Sequence, residues 1–143
     1  MRRSIGAVAC AAVVVVAGGC KTGSDVDAGR PAYPTEIRQE VVLDVQVVRN
    51  DTEITMTNTT ARSIGRSLLW VNGWYSREIE GFGVGQTLTL NLYEFKDQYG
   101  TPFRGGGFFA TERPERVVLA QVEPLEGDSK ELIGLVVVGR SED

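Results

Sequence analysis

Leu68-Leu69-Trp70-Val71-Asn72-Gly73-Trp74-Tyr75 is the stretch that decides the fold. Asn-Gly between apolar flanks is a strong signal for a two-residue hairpin turn, because both residues tolerate positive φ. A turn centred on Asn72-Gly73 sets Val71 opposite Trp74 and Trp70 opposite Tyr75. One face of the hairpin then carries Leu68, Trp70, Tyr75 and Ile79, and the other carries Leu69, Val71 and Trp74. Both faces hold an aromatic. One face packs on the core, and the other is exposed or lies under a loop.

The flanking sequence has the same period of two. Val41, Leu43, Val45 and Val47 share one strand face, and Asn50-Asp51 breaks the run as a turn. Ile54 and Met56 alternate with Glu53, Thr55 and Thr57. Leu88, Leu90 and Leu92 alternate with Thr87, Thr89 and Asn91. Val117 to Val122 and Leu132 to Val138 are apolar on both faces, as interior strands are, and Gly134 marks a bulge or a close approach. No window carries a helical period. About seven short strands predict an all-β protein, an antiparallel β-sandwich, with a small β-barrel as the alternative.

Three stretches carry a loose family likeness: Asn58-Thr59-Thr60, Val71-Asn72-Gly73 and Gly85-Gln86-Thr87-Leu88. An Asn-Thr turn follows one strand, and a Gly-Gln turn precedes a leucine-alternating one. This order resembles bacterial immunoglobulin-like or fibronectin type III-like modules and covers about half of the domain. The Cys…Trp…Cys pattern of true immunoglobulin domains is missing.

The N-terminus has a different character. Arg2-Arg3 precedes an apolar run from Ile5 to Ala17, and Val16-Ala17-Gly18-Gly19-Cys20 closes it. A basic start, an apolar middle and a small-residue processing site form the layout of a secretory signal. The run falls short of the roughly 18 residues that a spanning helix needs. Ending in a cysteine, the segment resembles the lipobox signals of bacterial lipoproteins. That resemblance implies cleavage before Cys20, lipidation of Cys20 and a life tethered in the bacterial cell envelope, at the outer membrane or the extracytoplasmic face of the inner membrane. The expected organisation is a signal peptide over 1–19, a lipid anchor and Gly/Ser/Asp/Pro-rich linker over 20–39, and a β domain over 40–143.

Charge and composition close off several functions. The chain has 15 basic and 19 acidic side chains and no histidine. Removing Arg2 and Arg3 with the signal leaves 13 basic against 19 acidic, a formal charge of −6. That balance argues against binding nucleic acid, which needs a basic footprint. Without histidine there is no Ser-His-Asp or Cys-His catalysis and no His-ligated metal. The two cysteines are Cys10, inside the signal, and Cys20, so a processed domain has no free thiol and no disulfide. No cofactor, metal site or catalytic residue is expected.

Residues 94–115 form the longest connection, and connections above about 12–15 residues are often functional. Gly105-Gly106-Gly107 interrupts aromatics at Tyr99, Phe103, Phe108 and Phe109. One reading is a binding loop with Asp97 and Arg104 as its polar rim. The other is a hairpin of Tyr93–Lys96 with Phe108–Thr111, whose aromatics cap the fold. Trp70, Trp74 and Tyr75 could form a platform for sugar or peptide, with Trp74 the exposed member. Glu94 with Asp97, or Glu126 with Asp128, could pair for calcium or for acid–base chemistry, although calcium needs six or more oxygens. The asparagines in Asn50-Asp51-Thr52 and Asn58-Thr59-Thr60 read as turns. These observations predict a non-enzymatic, membrane-tethered module. It binds an envelope protein or glycan through Trp74, Asp97, Tyr99, Arg104, Phe108 and Phe109. The rivals are an assembly accessory that offers a sheet edge and a carboxylate-dependent hydrolase.

Overall fold

Strand β1 (Gln39–Asn50) is the spine of the molecule, and its twelve residues reach the full height of the sheet. The computed structural model describes residues 30–127 and 130–139. After β1 come β2 (Glu53–Asn58), β3 (Ser67–Val71), β4 (Tyr75–Ile79), β5 (Thr87–Asn91), β6 (Ala120–Pro124) and β7 (Leu132–Val138). One 3₁₀ turn, Leu92–Glu94, follows β5.

The seven strands form one sheet in the order β4-β3-β6-β7-β1-β2-β5. Every neighbouring pair is antiparallel except β1 and β7, which run parallel. The protein is therefore all-β, with a mixed sheet curled into a half-barrel. The expected architecture was two antiparallel sheets face to face. Instead, β1 pairs with β2 on one side and with β7 on the other, and so joins what would have been two sheets into one. Period-two alternation reports which side chains point inward, but not which strands are neighbours.

The concave face holds the core. Val45, Val47, Ile54, Met56, Leu69, Val71 and Val122 are buried there, and Leu90, Ala120 and Leu135 join them. Gly134 supports close packing: the Gln39 side chain lies where a Cβ would sit, with its Nε2 only 2.4 Å from that position.

The β3–β4 hairpin departs from the simple turn. Asn72 (φ 56°) and Gly73 (φ 63°) take the left-handed conformations that Asn-Gly favours, and the Trp74 N–H closes the turn on the Val71 carbonyl at 3.2 Å. Val71, however, pairs with Tyr75, and Trp70 pairs with Ser76. Trp74 is an extra residue, bulged out of the ladder. A one-residue offset exchanges the faces of a strand. Tyr75 thus joins Leu69, Val71 and Ile79 on the inner face and meets Phe103 edge-on, with ring centroids 5.1 Å apart. Trp70 and Leu68 point outward.

Trp70 is nonetheless buried, because residues 30–38 cross the outer face. Tyr33 meets it edge-on at 5.3 Å, and Ile37 and Leu132 complete a second apolar cluster. The Trp70 indole donates to Glu123 at 2.9 Å, and the Tyr33 hydroxyl donates to Gln121 at 2.8 Å. Regular structure begins at Gln39, and the stretch read as linker already packs from Tyr33 onward.

The half-barrel has two distinct ends. Strands β1, β3, β5 and β7 finish at one, here the hairpin end, together with the β1–β2 and β3–β4 turns and the 92–119 connection. The opposite end holds the 59–66, 80–86 and 125–131 connections. There Ile64 and Phe82 exchange both backbone hydrogen bonds, at 3.0 and 2.9 Å. Gly81 lies so close beneath (φ 98°) that a Cβ would meet the Ile64 carbonyl at 2.2 Å.

Candidate functional site

The connection from β5 to β6 plugs the hairpin end of the half-barrel. Its own Leu92, Phe95, Phe103 and Val117 are buried and extend the core. Phe95–Phe103 is a small hairpin: the Phe103 N–H donates to Phe95 at 2.8 Å and the Asp97 N–H to Thr101 at 3.0 Å. Lys96 continues the sheet by exchanging backbone hydrogen bonds with Ser76 of β4, at 2.9 and 3.2 Å. Tyr93–Lys96 therefore does not pair with Phe108–Thr111. The nearer segment, Thr101–Phe103, takes that place because Asp97 closes a tight turn between them.

Asp97 is a brace and not a rim residue. Its Oδ1 accepts from the Tyr99 N–H at 2.9 Å and from the Thr101 N–H at 2.8 Å, and its Oδ2 accepts from the Trp74 indole at 3.4 Å. Burial pulls its pKa upward. Hydrogen bonds from Thr101, Tyr99 and Trp74 outweigh that effect and hold the carboxyl below the usual aspartate range. The same carboxylate therefore fixes two aromatics. Trp74 is 49% exposed on the β3–β4 bulge, and Tyr99, in the adjoining turn, is 76% exposed.

Residues 104–119 are held from below. The Arg49 guanidinium, at the end of β1, donates to the carbonyls of Asp51, Gly105 and Glu115. The Tyr93 hydroxyl donates to the Gly106 carbonyl. Glu115 accepts from the Tyr75 hydroxyl at 3.0 Å and lies 3.8 Å from Arg104 Nε. Burial, and then the Glu115 carboxylate, push the Tyr75 hydroxyl above the ordinary tyrosine value. Arg104 is exposed and also approaches Glu112 at 3.5 Å.

Phe108 and Phe109 stand at the tip of this segment. They are the central residues of a turn closed by the Ala110 N–H on the Gly107 carbonyl at 3.0 Å. They are 95% and 91% exposed, and their rings meet edge-on at 5.0 Å. The six proposed binding residues thus share the hairpin end but divide into two groups. Trp74, Asp97 and Tyr99 form one braced corner. Phe108 and Phe109 form a separate tip, with Arg104 at its base. No flat Trp70–Trp74–Tyr75 platform exists, since Trp70 is buried on the outer face, Tyr75 packs on the inner core and Trp74 stands exposed on the bulge between the strands.

Glu94 and Asp97 do not face each other as a pair. Glu94 is ion-paired with Arg77 of β4, while Asp97 is engaged in its own turn. Asp128 and Cys20 lie outside the described residues. Asn58 is fully buried, its amide donating to the Arg62 carbonyl at 2.7 Å, in keeping with a turn role. At the opposite end a cleft of about 340 Å³ opens among Val41, Leu43, Ile64, Val122 and Ile133, with Arg62, Arg66, Glu126 and Glu131 also lining it. Its charges are of both signs, and Arg66 is already paired with Glu78.

Arg49, Tyr93, Glu115 and Asn72 build the site, yet nothing in their spacing announces it. Their partners lie far along the chain, and only the folded sheet brings them together. No protein-family model, curated protein or solved structure matches the chain.

Proposed function

We propose that this chain is a non-enzymatic, lipid-anchored protein of the bacterial cell envelope that binds a partner protein through the Trp74–Tyr99 corner. The curled sheet serves as a scaffold that presents loops at one end, as immunoglobulin-like sandwiches do. The observation that carries the reading is the double brace at Asp97. One carboxylate holds the half-exposed Trp74 indole and also the turn bearing Tyr99. Trp, Tyr and Arg are the residues that dominate binding hot spots, and an aromatic already fixed in place loses less entropy on binding.

A protein partner fits better than a sugar. A glycan platform needs free polar groups beside the ring, and the Asp97 oxygens are already engaged by three donors. The absence of histidine and the pairing of Glu94 and Glu115 within the fold favour binding over catalysis. The anchor rests on the Val16–Cys20 processing pattern. Affinity capture from envelope extract tests the reading. Trp74→Ala and Tyr99→Ala should each abolish capture of the partner while the melting temperature stays nearly unchanged. Capture unaffected by both substitutions removes this corner as the contact.

A further inference from the structure

Two phenylalanines at the centre of a turn are out of place chemically. Such positions favour Gly, Asn, Asp, Ser and Pro, which meet the dihedral demands and stay hydrated. Here Phe108 and Phe109 occupy them almost fully exposed. A phenylalanine left in water forgoes the favourable burial of its ring. The base beneath them is firmly held, through Arg49 to Gly105 and Glu115 and through Tyr93 to Gly106. The loop therefore presents a stable apolar tip.

The start of the described chain indicates what the tip meets. Tyr33 lies against the β3–β4 turn, its ring 3.6 Å from where a Cβ on Gly73 would be. Arg30 is three residues earlier, within about 10 Å along any chain path. The chain thus enters the domain at the hairpin end. The Phe108–Phe109 tip belongs to that same end, since a Cβ on Gly107 would lie 3.2 Å from Thr52 in the β1–β2 turn. Arg30 lies ten positions after Cys20. That length of chain reaches at most about 35 Å.

We infer that the Phe108–Phe109 tip docks on the lipid bilayer that holds the anchor, so that the domain lies on the membrane with its hairpin end down. The inference rests on the anchor reading at Cys20. A tether this short keeps the aromatic end closer to the bilayer than to any other apolar surface. Attraction is mainly apolar. Residues 104–116 carry Arg104, Arg113 and Arg116 with Glu112 and Glu115, and Arg104 already approaches both glutamates, a balance too even for strong dependence on anionic lipid. Trp74 and Tyr99 then sit near headgroup level, beside the partner surface proposed above, where amphipathic rings are favoured.

A tryptophan reporter tests it in the full chain. Phe109→Trp is placed in a Trp74→Phe background, so that the only other indole is Trp70, buried under Tyr33. Val84→Trp, exposed at the opposite end, is the control. In membranes containing acyl-brominated lipid, the Phe109→Trp reporter should lose most of its emission and the Val84→Trp reporter should lose little. A second arm adds the Cys20→Ser chain to phosphatidylethanolamine–phosphatidylglycerol vesicles. Quenching confined to Phe109→Trp there supports docking by the tip itself. Equal quenching at both positions, or none in either arm, overturns the proposal. So does a concentration-dependent blue shift without lipid, which would identify a second copy of the chain as the occupant. Mass spectrometry of Cys20 judges the anchor separately: an acylated chain with an unquenched tip refutes docking alone.

Discussion

Arg49 and Glu115, 66 positions apart, are joined by a hydrogen bond from the guanidinium to the backbone carbonyl. The same guanidinium also holds the carbonyls of Gly105 and Asp51. A planar fork with five donors suits three divergent carbonyls, and a lysine ammonium does not. Hydrogen bonds to a charged group contribute about 1.5–3 kcal/mol each, less where solvent competes. Arg49→Ala should therefore cost about 2–4 kcal/mol in urea unfolding. Arg49→Lys should recover only part of it. Amide exchange should accelerate over residues 104–116 before it does so in the strands.

Trp70 and Trp74 flank one turn and should respond oppositely to truncation. Trp70 is buried between the sheet and Tyr33, so Trp70→Ala should cost about 3–5 kcal/mol. Trp74 is half exposed, and its indole makes a long hydrogen bond to Asp97. Trp74→Ala should cost about 1 kcal/mol or less. Equilibrium denaturation of the two variants decides the matter, and a large loss at Trp74 would make it a core residue and weaken the proposed contact corner.

The strands were legible because alternation is a local property. The β2 and β5 sequences each show their faces in the order of their side chains. The Asn72-Gly73 turn was legible for the same reason, and its positive φ angles are those the residues favour. The hairpin register was not. Whether Trp74 bulges or pairs depends on Tyr75 finding Phe103 and Glu115, which arrive from elsewhere in the chain. The parallel union of β1 and β7 is non-local in the same sense. Composition marked residues 94–115 as a special loop, but it could not separate the buried Phe103 from the exposed Phe108. Anchoring by Arg49 and Tyr93 makes that distinction, and neither residue carries a motif.

Acid should act through Asp97. Its carboxyl lies below the usual aspartate range in the fold, so the folded protein favours the ionised form. The stabilisation is complete above the unfolded value of about 3.9. It is lost as pH falls through the lower folded value. Asp97→Asn cannot titrate, and its thermal stability should fall less steeply on the acid side than that of the native protein. Parallel acid limbs would assign the sensitivity to another group.

Alkali should act through Tyr75. Burial and the hydrogen bond to Glu115 raise its pKa, so the fold favours the neutral phenol. That contribution is present below the unfolded value of about 10 and is lost as pH rises through the higher folded value. Tyr75→Phe removes the hydroxyl and should cost about 0.5–1.5 kcal/mol near neutrality. The stability difference between the two proteins should then shrink in strong alkali. A difference that stays constant with pH would show that Tyr75 does not titrate against the fold.

Asn72 serves the hairpin twice, and two substitutions separate the roles. Its backbone holds φ 56°, a conformation that costs most L-residues about 1–2 kcal/mol. Its side chain staples the lead-in to β6: Nδ2 donates to the Arg116 carbonyl at 2.7 Å, and Oδ1 accepts from the Val118 and Leu119 N–H groups at 2.9 and 3.3 Å. Asn72→Gly keeps the turn and loses the staple. With water able to replace part of it, the cost should be about 1–2 kcal/mol. Asn72→Ala loses both and should cost about 2–4 kcal/mol. Urea unfolding of the pair therefore measures the backbone contribution as their difference. Equal losses would mean that the turn tolerates alanine, and a wild-type Asn72→Gly would mean that the cap is held by Arg49 without help from the hairpin.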